Sequence, residues 1–173
     1  GVLLNNPHTA ISPVGYIESI DLYPMDFEEF LWAMGVSRDH TNMVREHILN
    51  ETPMDEYFLK HIGDLYRRYI VVGGMPEAVK EYVSSKDYSK TRSVQSSIIK
   101  QLRDDVAKYS TKPDMLKIYS CMDSIPSQLS KENNVFQYTD VCKKNASGRK
   151  YESALLWLEN AGIVLRSRNL SEP

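Results

Sequence analysis

Residues 65–79 read LYRRYIVVGGMPEAV, and this stretch predicts how the first half of the chain folds. Apolar side chains lead up to the glycines at spacings of three and four, the period of a helix with one buried face. The two glycines end that helix, and Pro76 starts another at the first helical position, where its missing N–H costs nothing. We therefore predict a long helix that opens with Thr52 as its cap and Pro53 as its first residue, followed by a short helix at 76–83.

Towards the N-terminus the sequence changes from a helical to an alternating pattern. Asp26 and Glu29 have the spacing of a capping box, Gly35 ends that helix, and a further helix is predicted at 38–49. Before them, bulky residues alternate with small or polar ones over Val14–Tyr23, which is typical of a strand. A lone strand leaves both edges unpaired, so its partners must lie outside the chain or be very short. We expect a helical bundle with one residual strand of a larger sheet.

The second half of the chain predicts a connecting helix and then the element order of a winged helix. The connecting helix begins at Asp87 or Ser89 and reaches about Tyr109. Over residues 113–170 the order is a helix that continues past Pro126, a short extended segment at 135–138, a short helix, an amphipathic helix and a β-like segment at 163–168. In this order the second and third helices form a helix-turn-helix. The predicted core of this module consists of Leu116, Tyr119, Ile125, Leu129, Phe136, Val141, Leu155, Leu158 and Val164.

Basic residues are concentrated in this second half, which is net positive, whereas the first half is net negative and the total is −2. In a helix-turn-helix, the start of the recognition helix meets bases and the flanking cations meet phosphates. Six residues occupy these places: Lys143, Lys144, Arg149, Lys150, Arg166 and Arg168. A structural explanation is also open: the first four could be the solvated start of a packed helix, and the two arginines at 166 and 168 could be outward charges on an edge strand. Winged helices also serve as protein-docking domains. Six phosphate contacts would give a log–log salt slope of roughly −5.

Motifs for autonomous catalysis are missing from the sequence. There is no Gly-x-x-x-x-Gly-Lys-Ser/Thr loop and no apolar strand that ends in two acids, so the phosphate cradle and magnesium ligand of a P-loop ATPase are lacking. The adjacent acids Glu28 and Glu29 diverge on a helix rather than converge. We interpret Cys121 and Cys142 as reduced cysteines that pack inside the protein. Because no apolar run approaches the ~20 residues of a membrane helix, we expect a cytoplasmic protein without a membrane partner.

Four stretches, in order along nearly the whole chain, resemble one protein family: Tyr23–Trp32, Leu65–Val79, Asp123–Asn133 and Tyr151–Gly162. They are similar to the AAA-like predicted bacterial ATPases that carry a helical lid, a winged helix and a nuclease-like C-terminal domain. The resemblance implies that the first stretch follows the last strand of the nucleotide-binding sheet. It also implies a lid position near the nucleotide for Gly73, Gly74, Met75 and Pro76. An ordinary helix C-cap followed by a proline-started helix would explain these four residues as well.

The resemblance implies ATP and magnesium for the parent protein, with no cofactor and no catalytic residue in this chain. It further implies two partners that the chain lacks, an N-terminal ATPase core and the C-terminal nuclease-like domain. Family members often have Gly-Arg where this chain has Gly15-Tyr16, a departure at the place where an arginine would reach a neighbouring phosphate.

We therefore predict a mainly α chain in three parts: the last strand and helical lid of an ATPase domain at 1–86, a connecting helix at 87–112 and a winged-helix domain at 113–173. Its predicted role is a non-catalytic one, coupling nucleotide state to a partner or to nucleic acid. Two alternatives remain open. A free-standing winged-helix DNA-binding regulator would bind DNA without nucleotide dependence, and a protein-interaction adaptor would expose an apolar helix face instead.

Overall fold

The computed structural model describes residues 22–132, 135–141 and 148–167, and of residues 148–149 the backbone alone. No strand occurs in these ranges, so the prediction of a mainly α chain is confirmed. The predicted residual strand lies outside the described residues except for Leu22 and Tyr23, which have no regular structure. The described helices are α1 (Phe27–Ala33), α2 (Arg38–Leu49), α3 (Glu56–Val72), α4 (Pro76–Ser85), α5 (Tyr88–Tyr109), α6 (Lys112–Leu129), α7 (Tyr138–Val141) and α8 (Gly148–Asn160).

The described residues form two compact units that divide between Ile98 and Ile99, within α5. We call residues 22–98 the N-terminal unit and the described residues from 99 onwards the C-terminal unit. None of the described helices combines the length and apolar character that crossing a membrane requires.

Local capping rules account for the start of the N-terminal unit. The Asp26 carboxylate accepts a hydrogen bond from the Glu29 backbone N–H at 2.8 Å, and the Glu29 carboxylate accepts from the Asp26 N–H at 2.9 Å. The predicted capping box is therefore present. Gly35 follows α1 with a φ of +92°, a conformation that glycine adopts without steric cost. The predicted bounds of α2 also match the structure.

The predicted start of α3 is wrong by one turn. The helix begins at Glu56, and Asp55 caps it by accepting from the Phe58 N–H at 3.0 Å. Thr52 does not cap α3 because it is bound to the preceding helix instead. Its N–H donates to the His47 carbonyl oxygen at 3.0 Å, and its hydroxyl lies 2.8 Å from His47 Nδ1.

The core of the N-terminal unit lies where α1 meets α3 and α4. Phe30, Val72, Val79 and Tyr82 form a buried cluster. Aromatic rings extend it, because Tyr69 of α3 lies 5.4 Å from the ring of Phe30, centroid to centroid. Such tilted aromatic contacts add stabilisation beyond the area that they bury.

The core of the C-terminal unit is built by α5, α6 and α8. Its buried members are Val106, Ile118, Cys121, Tyr151, Ala154 and Leu158. Of the residues predicted for the core of a winged helix, seven are buried or half-buried in the structure. Leu116 and Leu129 are the exceptions, at 64% and 66% exposed. Leu116 precedes the buried Ile118 by two residues, which puts it on the opposite side of α6, and Leu129 is the last residue of that helix.

A buried polar network occupies the end of α6. Gln128 is 4% exposed; its amide donates to Ser124 Oγ at 3.2 Å, and its carbonyl oxygen accepts from the Gln137 N–H at 2.6 Å. The network ties the chain before α7 to α6, which continues past Pro126 as predicted. Residues 135–137 and 163–167, where extended segments were predicted, form no strand, and Tyr138 already belongs to α7.

The thiol of Cys121 is buried in the core of the C-terminal unit. Burial raises the pKa of its thiol to about 11, so only about one molecule in a thousand carries the thiolate at pH 8. In a Cys142→Ser variant, a chromogenic disulfide reagent at pH 8 should therefore modify Cys121 only after urea unfolds the chain. Because the native state holds this proton more tightly than the unfolded chain, the free energy of unfolding should also fall as the pH rises above 9 towards 11. Fast modification of the folded variant would contradict the burial.

Candidate functional site

The Gly73–Pro76 turn is held against the chain that precedes α1. The Met25 N–H donates to the Gly74 carbonyl oxygen at 2.7 Å. A Cβ added to Gly74 would lie 2.2 Å from the Met25 carbonyl oxygen, so the two backbones approach more closely than any side chain allows. The same Met25 oxygen accepts a hydrogen bond from the Tyr69 hydroxyl at 2.9 Å. The contact joins two of the stretches that carried the family resemblance.

The Gly73–Pro76 turn has the conformation of a helix C-cap followed by a proline-started helix. Gly73 has a φ of +75° and donates its N–H to the Tyr69 carbonyl oxygen at 2.7 Å, which closes α3. Pro76 is the first residue of α4, as predicted. Met75 and Pro76 are exposed, so one side of the turn remains open.

Two further residues, Gln95 and Tyr69, stabilise the turn through side-chain hydrogen bonds. The amide of Gln95, on α5, donates to the carbonyl oxygens of Val71 and Val72 at 2.9 Å each, and so satisfies the last carbonyls of α3. Burial, followed by the charge of Asp26, raises the pKa of Tyr69, which keeps its phenol neutral and able to donate. Neither partner is close in sequence to the residues that it contacts.

The structure describes only part of the predicted basic edge. Lys143, Lys144 and Arg168 lie outside the described residues. Arg149 belongs to α8, although its side chain is not described, and Lys150 next to it is exposed. Arg166 forms an ion pair with Glu159, with 3.1 Å between the guanidinium nitrogen and Oε2. This Oε2 atom is buried without a directed hydrogen bond to the described residues, so the contact is mainly electrostatic. One of the six predicted cations is thus already paired.

A cleft lies between the end of α1, the start of α2 and α3. It has a volume of about 430 Å³ and is lined by Met34, Gly35, Val36, Ser37, His40, Phe58, His61, Ile62, Leu65 and Arg68. His40 belongs to α2 and His61 to α3. The fold brings both to one cleft together with an arginine.

Structural contacts account for the adjacent acids of α1. Glu28 pairs with Arg45 of α2 at 2.7 Å, and Glu29 completes the capping box. Glu28 therefore links α1 to α2, and Glu29 caps the start of α1. Within the part of the chain that the structure describes, no three His, Cys, Asp or Glu residues are grouped as metal ligands.

Comparison with known families assigns residues 63–173 to a domain of unknown function, DUF8612. This match covers well over half of the chain, and the chain therefore belongs to the DUF8612 family. The matched range includes the Gly73–Pro76 turn and every described residue of the C-terminal unit. No curated protein and no solved structure matches the chain.

Proposed function

We propose that this chain is the helical lid and winged-helix part of an AAA-like bacterial P-loop ATPase, and that it contributes no catalytic group of its own. In the full protein it closes over ATP and transmits that closure to a partner or to DNA. ATP and magnesium are held by the absent ATPase core, and the nuclease-like domain is the further partner. DUF8612 membership carries no function of its own, so the proposal depends on the residues.

The contact between Met25 and Gly74 is the observation that carries the proposal. By the family resemblance, Met25 lies just after the last strand of the nucleotide-binding sheet and Gly74 lies in the lid. A backbone hydrogen bond of 2.7 Å from the Met25 N–H joins them, and the Tyr69 hydroxyl donates to the carbonyl oxygen of the same residue. A lid connected in this way moves together with the segment that leaves the sheet, which is what coupling to the nucleotide requires.

The packing of α6, α7 and α8 around one core supports the second half of the proposal. α7 and α8 are the second and third helices of the proposed helix-turn-helix, and the first turn of α8 carries the exposed Lys150. Residues 164–167 follow α8 without helical structure, at the place of the wing. The face around the start of α8 is therefore the surface that we assign to DNA or to a docked protein.

ATP turnover tests the assignment of catalysis to another domain. The purified chain should show no magnesium-dependent hydrolysis and no micromolar ATP affinity, because it has no phosphate-cradling loop. The longest reading frame that contains this chain should hydrolyse ATP, and Gly74→Ala should lower its kcat whereas Gly63→Ala leaves it unchanged. Turnover by the isolated chain, or a reading frame without a P-loop, would refute the proposal.

DNA binding through the α8 surface makes a separate prediction about Glu159. Because Glu159 holds Arg166 in an ion pair, Glu159→Gln should release one cation and make the log–log salt slope steeper by about 0.9. Glu152→Gln is the matched control: it removes the same charge from an exposed position of α8. Salt titrations on a duplex measure both variants. Equal slopes in the two variants would contradict Arg166 release, and no affinity at low salt would favour the adaptor alternative.

A further inference from the structure

The α1–α2–α3 cleft of the N-terminal unit has a lining in which no residue is acidic. Its walls are apolar: Val36, Phe58 and Ile62 are half-buried, and Leu65 is buried at its base. A volume of about 430 Å³ is within the range of pockets that hold small organic molecules. The cleft is distinct from the Gly73–Pro76 turn, none of whose residues lines it.

The polar groups of the cleft are cationic or hydrogen-bond donors. Ser37 Oγ and His40 Nδ1 lie 2.7 Å apart and satisfy each other, and His40 stacks on Phe58 with 6.0 Å between ring centroids. His61 and Arg68 remain, and neither pairs with a carboxylate among the described residues. The Arg68 guanidinium does reach Tyr82, where it opposes the rise in the phenol's pKa that burial causes.

The neighbouring arginine on α3 is arranged differently. Arg67 forms an ion pair with Asp64 at 2.6 Å, one turn earlier on the same helix, and it does not line the cleft. The two consecutive arginines therefore differ: Asp64 pairs with Arg67, whereas Arg68 has no acidic partner in the part of the chain that the structure describes. An arginine at the rim of an apolar cleft is suited to bind the oxygen atoms of an anionic group through two parallel hydrogen bonds.

From this geometry we infer that the cleft is a binding site for a small organic anion. The apolar body of the ligand packs between Val36, Phe58 and Ile62, and its acidic group meets Arg68 and His61. This site is independent of the proposed lid function, because it involves neither ATP nor the Gly73–Pro76 turn.

Two fluorescent probes of the same shape test the inference with the full chain. The probe 1-anilinonaphthalene-8-sulfonate has an apolar body and an anionic group, and N-phenyl-1-naphthylamine has the same body without the charge. We expect Arg68→Gln to weaken the Kd of the sulfonate probe about tenfold, the loss expected for a hydrogen bond to a charged group. The uncharged probe should bind both proteins equally. Arg67→Gln removes an equal charge and should change neither Kd.

A second variant checks that the probes occupy the cleft. Ile62→Phe fills space between the walls and should weaken both probes several-fold, whereas Leu59→Phe, at an exposed position of α3 outside the cleft, should not. Circular dichroism at the assay temperature confirms that each variant is folded. Equal effects of Arg67→Gln and Arg68→Gln, or full binding by folded Ile62→Phe, would overturn the site.

Discussion

Replacing Gly74 with alanine is expected to destabilise the N-terminal unit by about 2–4 kcal/mol, from overpacking together with a lost hydrogen bond. The new Cβ would lie 2.2 Å from the Met25 carbonyl oxygen and 3.1 Å from its carbonyl carbon and its nitrogen. All three are backbone atoms, which cannot turn aside as the end of a flexible side chain can. The segment before α1 must therefore separate from the turn, which breaks the 2.7 Å hydrogen bond between Met25 and Gly74.

Gly63→Ala is the matched control for this substitution. Gly63 lies inside α3, and a Cβ there would meet no heavy atom within 4 Å. Because alanine loses less backbone entropy than glycine in a helix, this variant should be more stable than the wild type by about 0.5–1 kcal/mol. The same glycine-to-alanine change thus has opposite signs at two positions in the same unit.

The two tryptophans allow each unit to be observed separately. Trp32 belongs to α1 and Trp157 to α8, and the chain has no other tryptophan. Urea unfolding of the glycine variants is therefore followed by Trp32 fluorescence in a Trp157→Phe background. A Gly74→Ala protein as stable as its parent would contradict the close contact with Met25, and with it the observation on which the proposed lid function depends.

The helix ends that the sequence predicted correctly depend on residues within about four positions of each other. The capping box of Asp26 and Glu29, the ends at Gly35 and Gly73, and the bounds of α2 all belong to this group. Capping bonds close within one turn, so the residues that decide them are adjacent in the sequence. The start of α3 was wrong because Thr52, a good cap in isolation, is bound to His47 of the preceding helix.

For two candidate sites, the Gly73–Pro76 turn and the basic edge, the sequence predicted one contributing residue and missed its partner. It predicted a role for Gly74 but not for Met25. The two residues are separated in sequence by α1, α2 and α3, so their contact depends on the tertiary fold. Arg166 was predicted to bind a phosphate, but its ion pair with Glu159 was not predicted. His61 and Arg68 had no motif at all, since a cleft is formed by packing between helices rather than by spacing within one. Such contacts are absent from local patterns because they form only when the helices pack together.

The second large effect is expected for Leu158→Ala, which should destabilise the C-terminal unit by about 2–5 kcal/mol. Leu158 is 0% exposed and lies in the cluster of Val106, Ile118 and Cys121. Removing its side chain loses apolar burial and leaves a cavity that a closely packed core fills only in part. Leu156→Ala is the control because this leucine, two residues earlier on α8, is 48% exposed. That variant should lose less than about 1 kcal/mol.

Urea unfolding measured by Trp157 fluorescence, in a Trp32→Phe background, separates these two leucines. The comparison also bears on the proposed winged helix, because α8 occupies the place of the recognition helix and Leu158 fixes which of its faces is buried. If the Leu158 face packs on α6, the opposite face, which carries Leu156, is the one that remains available to DNA or to a protein partner. Equal destabilisation by the two substitutions would mean that α8 is not oriented in this way, and the surface assigned to binding would have to be abandoned.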